Sequence, residues 1–280
     1  MKLNVTELPS TRSYVVVFDI GNALCRSVIN MEHRDILETQ LNYPECPCIS
    51  WVQTKTNDQH VHFFLPYLQI LFEYLLEQGA RIVFFSGGTL GRNLSIISEL
   101  LTSFWGEKRY EELKSEEQFA IYSKKDRSEV YQTSNKKPDY VKDLKKVIRD
   151  GESLSDIILV DDDYTYGMHD QQPLVVVMKL YEREKCPQNN IYFMLGVFKT
   201  YFEQVKYKKL HLRDGMNQIL PMNTCHCEVP EAHTFVRHFE EYNHIFAENM
   251  IDIGLSAVQK QYPNATLYKT PSQHHLPIIC

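Results

Sequence analysis

YVVVFDIGNAL, residues 14–24, runs five apolar and aromatic residues straight into Asp19 and then into Gly21-Asn22-Ala23. Tyr14–Phe18 shows no polar alternation, so both of its faces must be buried, the pattern of a strand inside a parallel sheet. The Gly-Asn pair beyond it marks a turn or a helix start. A carboxylate at the end of such a strand stands where the sheet meets its loops. In open parallel sheets that edge is where ligands bind.

Three further segments repeat the theme. ARIVFF, Ala80–Phe85, closes on Ser86-Gly87-Gly88-Thr89. DIILV at 156–160 runs into Asp161-Asp162-Asp163, and LVVVMKL at 174–180 makes a fourth strand. Between them, FFLPYLQILFEYLLEQ at 63–78 has apolar residues at helical spacing and a stop at Gly79. A second helix is expected over 92–104, helix and exposed loop over the charged stretch 105–135, and a short helix after Pro138 carrying Lys142. This alternation predicts an α/β fold, a doubly wound and mainly parallel sheet with Tyr14–Phe18 central and helices on both faces. Residues 25–60, with Asn42, Pro44, Pro47 and Asn57, read as a polar flap insertion with little regular structure. Beyond 185 the apolar spacing becomes helical, over 191–207 and 232–261. The chain thus divides into a core at 12–182 and a helical C-terminal extension at 186–268 packed on it. Its aromatic residues, Tyr192, Phe193, Phe198, Tyr201 and Phe202 among them, read as core.

Composition narrows the function. A net charge of −6 argues against an electrostatic nucleic-acid binder. The basic run Lys206, Lys208, Lys209, His211 and Arg213 reads as a solvated helix face. No apolar stretch is long enough for a membrane span, and the N-terminus lacks the apolar centre of a signal peptide. Seven irregularly spaced cysteines do not form a disulfide framework, so a reduced, cytoplasmic or otherwise intracellular setting is expected. Cys225-His226-Cys227 with His233, His238, Cys46 and Cys48 lacks the spacing of a common zinc site, and no cysteine stands at a strand end as a nucleophile would.

The strand ends therefore carry Asp19, Ser86 and the aspartates from 161, with Lys142 about one element upstream. An aspartate after a strand is commonly a turn former or helix cap, so the argument rests on the ordered set. Clustered carboxylates repel unless a hard cation joins them, and Mg²⁺ favours one or two carboxylates with water and phosphate oxygens. The hydroxyl and the ammonium then complete a phosphate site.

That order resembles the haloacid dehalogenase superfamily, whose motifs are a strand-ending nucleophilic Asp, a strand-ending Ser or Thr, a Lys, and a strand-ending acidic pair. Here they are VVVFD (Asp19), IVFFS (Ser86), Lys142 and ILVDD (Asp161, Asp162). The nearer resemblance is to the RNA polymerase carboxy-terminal-domain phosphatase branch, through VKDLKKVIRDGESLSDIILVDDD and the helix–strand unit before Ser86. It spans about residues 12–180 and leaves out the last hundred. The resemblance implies a phosphatase or phosphotransferase with Asp19 as nucleophile and with Ser86, Gly87 and Lys142 binding phosphate. Asp19, the Gly21 carbonyl, Asp161 and Asp162 would hold Mg²⁺. The implied substrate is a phosphorylated protein or a small phosphate ester, with the C-terminal helices available to a protein partner.

One position departs from the pattern. Phosphatases of this superfamily carry Asp-x-Asp in the first motif, the second Asp being the general acid; here it is Gly21. A backbone carbonyl still ligates a metal, but the acid is gone, and such an acid contributes typically ~10²–10⁴-fold in rate. Other branches of the superfamily also replace it. Three readings stay open. An acid is borrowed from the flap or from 164–170, with His33, Asp163, His169 and Asp170 as candidates. Or the substrate has a good leaving group, such as an aryl phosphate releasing a phenol of pKa about 10. Or the protein is a catalytically silent binding module.

Overall fold

The computed structural model describes residues 13–42, 46–53, 56–130, 139–162, 167–168, 170–171, 175–177, 187–219, 223–225, 234–238 and 244–267. The chain opens with β1 (Tyr14–Phe18), β2 (Cys25–Ile29), α1 (His33–Asn42), β3 (Cys48–Gln53) and β4 (Asp58–Phe64). Then come α2 (Leu68–Glu77), β5 (Ala80–Phe85), α3 (Leu90–Ser115) and β6 (Phe119–Tyr122). β7 (Ser128–Val130), β8 (Asp139–Val141), β9 (Ile157–Asp161) and β10 (Val175–Val177) follow. The rest is α4 (Pro187–Lys208), α5 (Leu212–Ile219), β11 (Asn223–Cys225), β12 (Thr234–His238) and α6 (His244–Gln259).

Seven strands form the main sheet in the order β11-β12-β10-β9-β1-β5-β6. All neighbours pair parallel except β11 with β12. β1 is an interior strand between β9 and β5, and all five of its residues are buried. Its side chains alternate between two cores, as a strand's period of two requires. Val16 and Phe18 face a large core shared with α2, α3 and α4, which includes Phe72, Ile97 and Phe202. Val15 and Val17 face a smaller one with Val83, Phe85, Leu144 and Leu159. The smaller core is covered by the 3₁₀ turns Leu144–Val147 and Leu154–Asp156 rather than by long helices.

The expected flap is far more regular than its composition suggests. β2, β4 and β3 form an antiparallel sheet in that order, and Ile36 of α1 packs on it against Met31 and Val61. Its strands show no clean alternation, because each face is covered in part: Val61 packs under α1, while Ile49 and Phe64 enter the large core. Phe63 and Phe64 belong to β4, not to the helix expected over 63–78. Pro66 disfavours helix in the residue before it, so α2 starts at Leu68; it ends at Gly79, whose φ is +77°. α3 runs past its expected end to Ser115, broken at Gly106 with φ 74° and ψ 163°. The charged stretch after it also contains β6.

Residues 140–143 are not helical. Tyr140 and Val141 lie in β8, and Lys142 bridges to Gly167 before the 3₁₀ turn begins. The stretch 232–261 divides into β12, paired with β10, and α6. Residues beyond 185 thus extend the sheet as well as covering it. Tyr192, Phe193, Phe198, Tyr201 and Phe202 are buried as expected. α4 and α6 touch backbone to backbone: a Cβ at Gly254 would lie 1.8 Å from the Tyr192 carbonyl oxygen. Lys206, Lys208, Lys209 and Arg213 are exposed, as a solvated face should be, but His211 turns inward, half-buried, with its Nδ1 2.9 Å from Oδ2 of the buried Asp156. Among the described residues no helix is long and apolar enough to cross a membrane.

Candidate active site

β9, β1 and β5 are adjacent and parallel, so their carboxyl ends bring Asp161, Asp19 and Ser86 to one edge. The Asp19 amide still donates to the Val160 carbonyl at 2.9 Å, which fixes it at the rim of the sheet. Lys142 reaches this edge from the loop before the 3₁₀ turn. That loop is held by Gln171, whose Oε1 accepts from Leu144 N at 2.6 Å and whose Nε2 donates to Asp143 Oδ1 at 2.7 Å. Lys142 Nζ donates to Asp19 Oδ1 at 2.5 Å and to Asp161 Oδ2 at 2.6 Å. All three residues are buried.

Two buried carboxylates share one ammonium, and the balance is poor. Burial pushes the Asp161 carboxyl up to about 8 against the pull of Lys142, with the nearby Asp19 adding to the rise. Burial raises Asp19 as well, again against Lys142. Burial works to lower Lys142, but Asp161 and Asp19 outweigh it and hold the ammonium above its usual range. Asp162, half-buried, stands beside them and accepts from Asn22 Nδ2 at 3.2 Å. Oxygens of Asp19, Asp161 and Asp162 lie within 4.8 Å of one another. Three hard oxygen donors at that spacing, short of positive charge, fit a small divalent cation such as Mg²⁺. Among the described residues this is the one group of three or more acidic, histidine or cysteine ligands so spaced. Cys225 and His238 lie on the paired strands β11 and β12, while His226, Cys227 and His233 fall outside the described residues.

Gly21 sits in a tight turn closed by Cys25 N to Ile20 O at 3.0 Å and Asn22 N to Cys25 O at 2.8 Å. Neither bond uses the Gly21 carbonyl. The backbone at Gly21 is not left-handed, and a Cβ there would lie 3.8 Å from Asp19 Oδ2, an ordinary contact. A side chain at this position is therefore sterically allowed and would stand beside the Asp19 carboxylate. Cys25, one strand start away, is buried; burial and then Asp19 push its thiol up to about 12, so it is no nucleophile.

Of the residues considered as substitute acids, His33 is exposed at the start of α1. Asp170 is engaged by Lys145 at 2.9 Å. Asp163 and His169 lie outside the described residues.

Ser86 and Gly87 open the turn into α3. Ser86 Oγ accepts from Gly88 N at 3.4 Å and from Arg92 Nη2 at 3.2 Å. Two arginines that the sequence reading missed flank this turn. Arg92 lies against Gly88, where a Cβ would meet its Nη2 at 2.1 Å, and Arg127 Nη1 would be 3.3 Å from a Cβ at Gly87. Arg92 carried a legible signal. It stands in the first turn of α3, after the N-cap Thr89, where the helix dipole favours acids over cations. Arg127, Asn22 and Gln171 carried none.

No family model and no curated protein matches the sequence. Solved structures are similar at low identity and at TM-scores below 0.5. One is the fission yeast RNA polymerase II CTD phosphatase Fcp1 in a variant bound to beryllium fluoride. It is 13% identical, with a TM-score of 0.42, over 91% of this chain and 68% of that one. Another is Fcp1, described as an essential RNA polymerase II CTD phosphatase, 13% identical with a TM-score of 0.41 over 91% and 67% of the two chains.

Proposed function

We infer that the protein is a magnesium-dependent phosphatase acting through an aspartyl-phosphate on Asp19. The observation that carries this reading is the buried Asp19–Lys142–Asp161 cluster at the carboxyl ends of β1 and β9, with Ser86 on the neighbouring strand. Asp19, Asp161 and Asp162 would hold the ion with the Gly21 carbonyl, and when bound it supplies positive charge to carboxylates and phosphoryl oxygens alike. Lys142 fixes Asp19 Oδ1, which leaves Oδ2, on the Gly21 side, as the attacking oxygen. Bond formation from Oδ2 to phosphorus expels the ester oxygen with its electron pair. Water then cleaves the aspartyl-phosphate, releasing inorganic phosphate and restoring the carboxylate. Ser86 and the Gly87 backbone would hold phosphoryl oxygens. With no acid at position 21, the expelled oxygen takes its proton from solvent, which favours aryl over alkyl esters.

The substrate class is a phosphorylated protein or a small phosphate ester. The second reading, a catalytically silent binding module, draws on the same Gly21. Initial rates across a graded series of aryl and alkyl phosphates, with Asp19→Asn as the blank, separate the two. A phosphatase turns over aryl esters faster than alkyl ones and loses both in Asp19→Asn. A wild type no faster than the blank, on phosphotyrosine peptides too, establishes the silent module.

A further inference from the structure

Charge at the site does not close with the groups that the motifs name. Three carboxylates against one ammonium and one divalent cation leave the site neutral, so an arriving phosphoryl dianion meets no net positive charge. Lys142 is already committed to Asp19 and Asp161. The unspent cations are Arg92 and Arg127. Both are half-buried, and neither has a carboxylate partner among the described residues. Among the described residues Arg92 donates only to neutral oxygens, Ser86 Oγ and Asn93 Oδ1. Arg127 stacks on Tyr140, with 5.4 Å from Cζ to the ring centroid, and among the described residues its buried Nε has no hydrogen-bond partner.

Arg92 is also placed against local preference. A cation in the first turn of a helix opposes the dipole, and residue 88 must lack a side chain to admit it. Arg92 lies close enough to Cys25 and His62, on the inward side of the flap sheet, to act on both electrostatically. It therefore stands between the Ser86 turn and the flap, and Cys25 closes the turn that holds Gly21.

We propose that Arg92, seated over Gly88 and seconded by Arg127, is the phosphoryl-binding cation of this site and offsets the charge that the missing acid at Gly21 no longer neutralises. The proposal rests on the phosphatase reading. It makes Arg92 a determinant of dianion binding and of leaving-group tolerance rather than a proton donor, since a guanidinium does not give up its proton at working pH.

Calorimetric titration of inorganic phosphate into the Mg²⁺-loaded protein tests it without turnover. Arg92→Ala should weaken phosphate binding on the order of 10- to 100-fold, the worth of hydrogen bonds to a charged group. Arg92→Lys should recover part of the loss, and Arg127→Ala should weaken binding less. Gly88→Ala, which keeps the charge but displaces the guanidinium, should mimic Arg92→Ala. Lys108→Ala, an exposed change far along α3, should match wild type. Wild-type binding with undiminished binding in folded Arg92→Ala overturns the proposal and leaves the phosphatase reading standing. A wild type that binds no phosphate overturns both.

Discussion

Two buried charge clusters sit at opposite ends of the same parallel strands, and they are balanced differently. At the amino end, Arg81 of β5 meets Glu152 in the turn before β9. Arg81 Nε and Nη2 donate to its two carboxylate oxygens at 2.8 and 2.5 Å, and Arg149 N adds a third bond at 2.9 Å. Burial works to raise Glu152, but these partners outweigh it and hold the carboxyl below its usual range. At the carboxyl end, Asp19 and Asp161 share Lys142 and both are raised. One cluster is balanced in charge as it stands. The other is balanced only with more positive charge. Opposite balance of charge separates a structural ion pair from a site built to receive something.

The difference predicts opposite mutational outcomes. Asp19→Asn should abolish turnover to the level of the uncatalysed blank, because an amide does not form an aspartyl-phosphate, while the metal-free protein melts at or above the wild-type temperature. Relief of like charge accounts for the melting result. Glu152→Ala should do the reverse. Removing one partner of a buried pair strands the other and costs about 3–5 kcal/mol, read as a lower denaturation midpoint, with activity per folded molecule unchanged. Equal loss of stability in both variants would erase the distinction between the two ends.

Gly21→Asp sharpens the functional end further. The backbone there accepts a side chain, and its Cβ would stand 3.8 Å from Asp19 Oδ2. If the missing acid limits alkyl esters, the variant should raise their turnover by roughly 10²-fold, the lower end of what a general acid contributes. Aryl esters should gain far less. A uniform gain or none, with the protein folded, would place the limit on another step.

How much of this was legible follows from where each residue's partners lie. β1, β5 and the body of β9 announced themselves as continuous apolar runs, and the placement of Asp19, Ser86 and Asp161 at their ends came with them. Lys142 was legible as a residue but not as a conformation. Its loop is extended because Gly167 and Gln171, more than twenty residues on, hold it, and no local pattern encodes that. The flap hid its strands because they are covered unevenly: His62 is buried, with Ser27 bonded to it at 2.7 Å, so a polar residue occupies a sheltered position. β12 was masked by aromatic spacing that suits a helix as well as a strand, and only pairing with β10 decides it. Arg92 was the one missed site residue with a local signal, a cation at the wrong end of a helix.

The smallest expected effect concerns pH, where the two ends again oppose each other. Glu152, held below its usual range, contributes stability that is present at neutral pH and lost as pH falls through its folded pKa. Asp161, raised from 3.8 to about 8, keeps its proton in the folded chain and releases it in the unfolded one between those values. The metal-free protein therefore loses stability from this group as pH rises from about 4 to about 8. Mg²⁺ needs the ionised carboxylate, so below pH 8 its binding must expel that proton. Its apparent affinity should weaken about fivefold from pH 8 to pH 7. In excess ion, that fivefold is about 1 kcal/mol of stabilisation, or about 2–4 °C of melting temperature in a chain of this size. Thermal melts with and without millimolar Mg²⁺ at the two pH values measure it directly. The gain on adding Mg²⁺ should be larger at pH 8, and Asp161→Asn should remove both the gain and its pH dependence. An equal gain at both pH values, or one that survives in Asp161→Asn, would move the ion away from the aspartate cluster and leave the carboxyl end of the sheet as another structural ion pair.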